Sequence, residues 1–268
     1  MTIVIVGSIT KYKVDDIKPY VNSIIKSGFS GKKIMLVYDV PQETVLFLKN
    51  CGWEVYEGQL QQHIILQRFH DVSQLCNMID DDVVIWTDVK DVIFQRNPIE
   101  YLEKNLGEEK NLMFASESIR YKDEPWGNQN LMETYANYIY DHFKDNIIFN
   151  VGVLAGRGYA MRDLAINIFA ASMGRPIPIC DQSTFNFLIS MSPYLETSVY
   201  SKSEDAWAAQ LGTTVDPSKI DQFKPFLVEP SPMMKNGEVT TSTGIPFTIV
   251  HQYDRVPAWR EIIEAKYG

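Results

Sequence analysis

Apolar residues over the first ninety positions follow two alternating rhythms. TIVIVG (2–7), KKIMLVYDV (32–40) and WEVYEG (53–58) are short runs, mostly rich in β-branched residues, and predict buried strands. Between them, VDDIKPYVNSIIKSGF (14–29) places Ile17, Tyr20, Val21, Ile24 and Ile25 at helical spacing, with Pro19 within the first turns. PQETVLFLKNCG (41–52) predicts a helix that starts at proline and stops at Gly52, and IILQRFHDVSQLCNMI (64–79) predicts another. DVVIWTDVKD (82–91) is a further strand with a polar tip. Strands alternating with helices predict an α/β fold with a mostly parallel sheet covered on both faces. Ligands of such sheets bind at the carboxyl ends of the strands, where Asp88 and Asp91 lie.

The second half is less regular. NLMFASE (111–117) predicts a strand, NLMETYANYIYDHF (130–143) a helix, and NIIFNVGVLAG (146–156) a strand and turn. MRDLAINIFAASMG (161–174) predicts a helix capped by Gly174, and CDQSTFNFLISM (180–191) a helix with Asp181 near its start. SESIRYKDEPWGNQN (116–130) reads as a polar loop holding Trp126 and Gly127. Residues 191–247 are rich in turn formers, and IPFTIVHQYDR (245–255) carries a short strand tipped by His251. No firm domain boundary shows. The reading is one domain over 1–268, with a nucleotide-binding half to about 110 and an acceptor-side half from about 111.

Composition narrows the function classes. A net charge of −9 repels a phosphate backbone and argues against nucleic acid as a partner. No apolar run is long enough to span a bilayer, and MTIVIVGSITKYK reads as a first strand, lacking the charged start of a signal peptide. Cys51, Cys76 and Cys180 are far apart, without a CxxC, and read as reduced, buried thiols of a cytoplasmic protein.

Two aspartates three apart at a strand end have an ordinary reading as a solvated turn. They also suit a hard divalent cation, Mg²⁺ or Mn²⁺, whose other ligands come from a diphosphate. An ordered series of segments favours the second reading. Arg68 lies on a helix before the apolar strand, and TDVKDVIF (87–94) ends that strand. FNVGVLAG (149–156), DQSTFN (181–186) and HQYDRVPAW (251–259) follow. Together they resemble the GT-A-fold nucleotide-sugar glycosyltransferases, and most closely the glycogenin-like group with its bacterial sugar-transferase relatives. The last three segments are similar to that family's F-N-x-G, D-Q-x-x-x-N and H-x-x-G-x-x-K-P-W.

The resemblance implies a GT-A-type, Rossmann-like single domain and a metal-dependent, retaining transfer from a nucleoside-diphosphate sugar, a UDP-sugar, to a glycan or other hydroxyl acceptor. Asp88 and Asp91 would hold Mn²⁺ (or Mg²⁺) with His251 as third ligand, in a D-x-x-D rather than D-x-D spacing. Pro257 stands where the family has a diphosphate-binding lysine, so Arg255, or secondarily Arg260, would supply that charge. Arg68 would face the donor. Asn150 and Gly152 would line the sugar side, and Asp181 and Gln182 would sit by the reacting sugar. Asp181 is also a good helix cap, and Arg68 and Arg255 are equally readable as solvated charges. From position alone, Trp126 would stack on a sugar, Tyr12 on a uracil, and Glu117 or Glu124 would be the base of an inverting route.

The rivals fit less well. A dehalogenase-type phosphatase needs a second acid two residues after the first, and Lys90 stands there. After the first strand, VGSITKYK lacks the G-x-G-x-x-G of a dehydrogenase, and no P-loop is present. A non-catalytic carbohydrate- or partner-binding protein on the same fold is the alternative from another class.

Overall fold

The computed structural model describes residues 2–79 and 82–268. Strand β1 (Ile3–Thr10) leads through α1 (Val14–Lys26), β2 (Lys32–Tyr38), α2 (Gln42–Asn50), β3 (Glu54–Gly58) and α3 (Ile64–Cys76) to β4 (Val83–Thr87), as the two rhythms predict. Then come β5 (Val92–Phe94), α4 (Pro98–Asn105), β6 (Leu112–Arg120), α5 (Pro125–Phe143), β7 (Ile147–Arg157), α6 (Gly158–Ser172) and α7 (Asp181–Ile189). The remainder holds short elements: α8 (Tyr194–Thr197), β8 (Ser198–Ser201), β9 (Ala208–Gln210), α9 (Leu211–Thr214) and α10 (Ile220–Phe223). The chain closes with β10 (Met233–Lys235), β11 (Glu238–Thr240), β12 (Ile249–His251) and α11 (Pro257–Tyr267).

Seven strands form the central sheet in the order β3-β2-β1-β4-β7-β6-β8. It is parallel except for β7, which runs against both β4 and β6. Alternation along β1 builds a core on each face. Ile3, Ile5 and Ile9 pack with Ile17, Tyr20 and Trp53 on one side, while Val4 and Val6 pack with Phe69, Val72 and Leu164 on the other. The strand order reverses direction between β1 and β4, so the two strand ends open a crevice there.

A second sheet, β5-β12-β9, lies beside the first. Gln95, buried just after β5, stitches this region together. Its amide donates to the carbonyls of Val239 and Phe247 and its oxygen accepts the Val239 N–H, at 2.8–3.1 Å.

Three expectations are corrected. The predicted polar loop at 116–130 is absent: β6 continues to Arg120, and α5 begins at Pro125. Glu124 caps that helix by accepting the Gly127 N–H, so Trp126 sits in a first helical turn. The helix runs to Phe143 with a break at Ala136 (φ 62°). Helix α4, to which the sequence reading gives no element, starts from an Asn97 cap followed by Pro98. All three cysteines are free, but Cys51 is only half-buried.

Replacing Gln95 with methionine keeps the volume but strands the Val239 N–H and the Phe247 carbonyl, while the Val239 carbonyl keeps the Phe247 N–H. Urea unfolding is expected to show a loss of about 1–3 kcal/mol.

Candidate active site

Register brings the distant residues together. Asp88 follows β4, and its N–H donates to the Gly152 carbonyl at 2.8 Å because β7 pairs Val153 with Thr87. Asp91 precedes β5, and β12 pairs His251 with Val92. The imidazole Nε2 then lies 3.7 Å from Asp88 Oδ2 and 3.6 Å from Asp91 Oδ2. The three side chains offer ligand atoms that all lie within 4.8 Å of one another. On the other side of the ring, Nδ1 lies 2.7 Å from Gln210 Oε1. In the tautomer whose Nδ1–H donates to Gln210, the Nε2 lone pair faces the two carboxylates and can serve a cation. Three side chains converge, too far apart to hydrogen bond, and a small side-chain adjustment would bring all three onto one cation with bonds of about 2.1 Å. The residues therefore fit Mn²⁺ or Mg²⁺. Burial pushes Asp91 above the usual carboxylate range, His251 opposes that, and Asp88 adds to it.

Gly152 leaves the room for this convergence. A Cβ there would stand 2.6 Å from His251 Cε1, 2.8 Å from Asp88 Oδ2 and 2.9 Å from Asn150 Oδ1. Asn150 Oδ1 accepts the Gly152 N–H at 2.6 Å, and its amide donates to Glu117 at 2.7 Å.

Arg68 reaches in from α3. It donates from Nη1 to Asp88 and from Nη2 to Asp181 at 2.8 Å, with Trp86 and Phe69 beneath the guanidinium. Burial raises Asp181 above the ordinary range, and Arg68 holds it back. Asp181 is the first residue of α7; its carboxylate accepts the Gln182 N–H and pairs with Arg68. Gln182 Nε2 donates to Glu117 at 2.9 Å, so Glu117 gathers Asn150 and Gln182 on one buried carboxylate. Burial pushes Glu117 up, while the Asn150 hydrogen bond pulls it down.

The crevice has two connected compartments sharing Arg68, Asp88, Asp91 and Arg255. The smaller, about 290 Å³, is walled by Ser8, Thr10, Tyr12 and Lys90. The larger, about 640 Å³, holds Glu117, Asn150, Gly152, Asp181, Gln182 and Trp126. Trp126 is half exposed. Every predicted site residue except Arg260 thus borders this one cleft; Arg260 pairs with Glu264 at 2.8 Å on α11. Pro257 opens α11, a position that suits proline.

Sequence reasoning missed three residues. Lys90, the extra residue of the D-x-x-D, lies 5.5 Å above the Tyr12 ring and bonds Asp16 at 2.8 Å. Asp254 stands at the glycine position of the H-x-x-G segment and borders the smaller compartment. Gln210 had no local signal, since only the pairing of β9 with β12 sets it beside His251.

Two outcomes follow from this geometry. Gly152→Ala is expected to lower stability by about 1–3 kcal/mol in denaturant titration, because backbone or His251 must shift. For Glu117 the folded pKa lies above the unfolded one, so the native state binds the proton more tightly and stability falls as pH rises through that window. Glu117→Gln removes this slope. Its stability relative to wild type should therefore improve as pH rises above the ordinary glutamate value of about 4.3. A constant difference in unfolding free energy across that rise would exclude the linkage.

No protein-family model matches the sequence, and no curated protein matches it significantly. Solved structures do resemble it. Two crystal structures of the glycosyltransferase GlyE of Streptococcus pneumoniae TIGR4, one of them the apo form, align with TM-scores of 0.58 and 0.59 at 17% identity. The alignments cover 97% and 98% of this chain but 59% and 60% of those chains. The galactosyltransferase LgtC, crystallised with donor and acceptor sugar analogues, aligns with a TM-score of 0.57 at 12% identity, over 98% of this chain and 95% of that one. At such identities the likeness is one of architecture: the chain has the GT-A-type α/β fold of these glycosyltransferases.

Proposed function

We propose that this protein is a metal-dependent glycosyltransferase of the hexosyltransferase type, moving a sugar from a nucleoside-diphosphate donor to a hydroxyl of a glycan acceptor. The donor is a UDP-sugar in this reading. The observation that carries it is the convergence of Asp88, Asp91 and the His251 lone pair at the carboxyl ends of the central strands, on a fold shared with known glycosyltransferases. Mn²⁺ (or Mg²⁺) would be held by these three residues and, when bound, would offset the charge that grows on the leaving diphosphate.

The chain's own groups then have distinct tasks. The nucleotide lies in the smaller compartment, with its base against Tyr12 and its diphosphate toward Arg255. Arg255 borders both compartments and is more than half exposed, loosely paired to Asp254 at 3.6 Å. It is therefore available to a phosphate. Arg68 keeps Asp88 and Asp181 aligned and faces the donor sugar. Asn150, Gly152, Asp181 and Gln182 surround the reacting sugar, and Trp126 offers a flat apolar face to donor or acceptor. Glycogenin-like relatives retain anomeric configuration, and we assign the same outcome here.

Asp254 and Pro257, in place of the family's glycine and lysine, favour a second reading: a non-catalytic carbohydrate- or partner-binding protein.

Calorimetry with UDP separates the two. Binding is expected with Mn²⁺, is lost in EDTA, and weakens at least about tenfold in Asp91→Ala. Equal binding in EDTA would overturn the metal assignment, and no nucleotide binding under any condition would favour the non-catalytic reading. Given turnover, NMR of the first-formed product tests retention.

A further inference from the structure

A cavity of about 510 Å³ shares no lining residue with the cleft. It lies between β7, the end of α7 and β8, within the size range of small-molecule sites. Its walls are Phe143, Ile147, Phe149, Ile189, Leu195 and Tyr200. Phe149 belongs to the same strand as Asn150 but faces the other way, as strand alternation requires. Leu195 is 50% exposed at the rim, an apolar side chain without cover.

The polar groups of the wall are already satisfied. Asn186 exchanges both bonds with the Phe149 backbone and donates to the Gln182 carbonyl, each at 2.8 Å. Tyr200 donates to the Ile189 carbonyl, and Ser190 to the Phe187 carbonyl. Arg120 is different. It lines the cavity from the end of β6, half-buried, and its guanidinium makes no hydrogen bond or ion pair among the described residues. The carboxylate it influences, Asp145, is bridged to Lys122 at 2.6 Å and lies 65% exposed. Asp141 is taken by Lys144 at 2.9 Å. With Asp145 held by Lys122, the cavity's other charged lining residue, Arg120, is left without an ion-pair partner among the described residues, beside an apolar hole.

We propose that this cavity binds a single-chain amphiphile with an anionic head, the head against Arg120 and the chain among Phe143, Phe149, Ile189 and Leu195. A guanidinium pairs with a carboxylate or phosphate in two-point geometry, and a partly buried one without a partner has most to gain. The apolar walls supply the attraction for the chain. This site is independent of the glycosyl-transfer reading.

The test is calorimetry on the full chain with dodecyl phosphate below its micelle concentration. Dodecanoate, dodecanol, dodecyltrimethylammonium and inorganic phosphate serve as comparators. One-to-one binding of the dodecyl anions is expected, at least about tenfold tighter than the neutral or cationic chains. Inorganic phosphate should not compete. The ratio of dodecyl phosphate to dodecanoate affinity identifies the preferred head. Arg120→Gln should weaken the anions about tenfold and leave dodecanol unchanged. Ile189→Trp should fill the cavity and block every chain. Equal affinity for all head groups, competition by inorganic phosphate, an unchanged Arg120→Gln, or no binding of the dodecyl anions would each overturn the proposal. The wild-type head-group series decides even where a variant fails to fold.

Discussion

One part-buried guanidinium holds the cleft in shape. Arg68 stands between Asp88 at the end of β4 and Asp181 at the start of α7, two carboxylates from opposite halves of the chain. Without a cation between them, these groups would repel in a place where water screens poorly. The arginine lies over Trp86 and Phe69, so its plane is fixed by packing before it meets either acid. A buried ion pair of this kind is weak evidence for stability, because desolvation offsets much of the attraction. Its contribution is geometric: it keeps one oxygen of Asp88 occupied and turns the other toward His251.

The rest of the cleft follows from two strand registers. Antiparallel β7 sets Gly152 against Asp88, and β12 sets His251 beside the start of β5. A slip of one residue in either would turn a side chain to the opposite face. The missing Cβ of Gly152 and the Gln210 contact behind the imidazole complete the same arrangement. Carboxylates, imidazole and amides thus meet without any of their segments being neighbours in sequence.

How far the sequence could be read depended on whether a feature was local. The first four strands and three helices were legible because their apolar spacing matches one period or the other. The end of β4 was legible as a site because topology alone places it at the crevice. Trp126 was misplaced because the start of α5 is largely polar and its signal is a cap, Glu124 before Pro125, rather than an apolar stripe. Helix α4 carried a similar cap signal at Asn97-Pro98. Gln210 and the shared use of Glu117 were out of reach, since they arise from pairings between distant strands. The thiol of Cys51, expected inside, is half-buried beside the turn that ends α2.

The short strand β12 has a thermodynamic role out of proportion to its length. It pairs with β5 and β9, both far away along the chain, so its place depends on joining three distant segments. An ion touching Asp88, Asp91 and His251 together would therefore recognise the completed chain and ignore partly folded forms. By mass action, such an ion would act as a latch, transferring its binding free energy to the native state. The same residues that would face a substrate would then also govern how long the molecule stays folded.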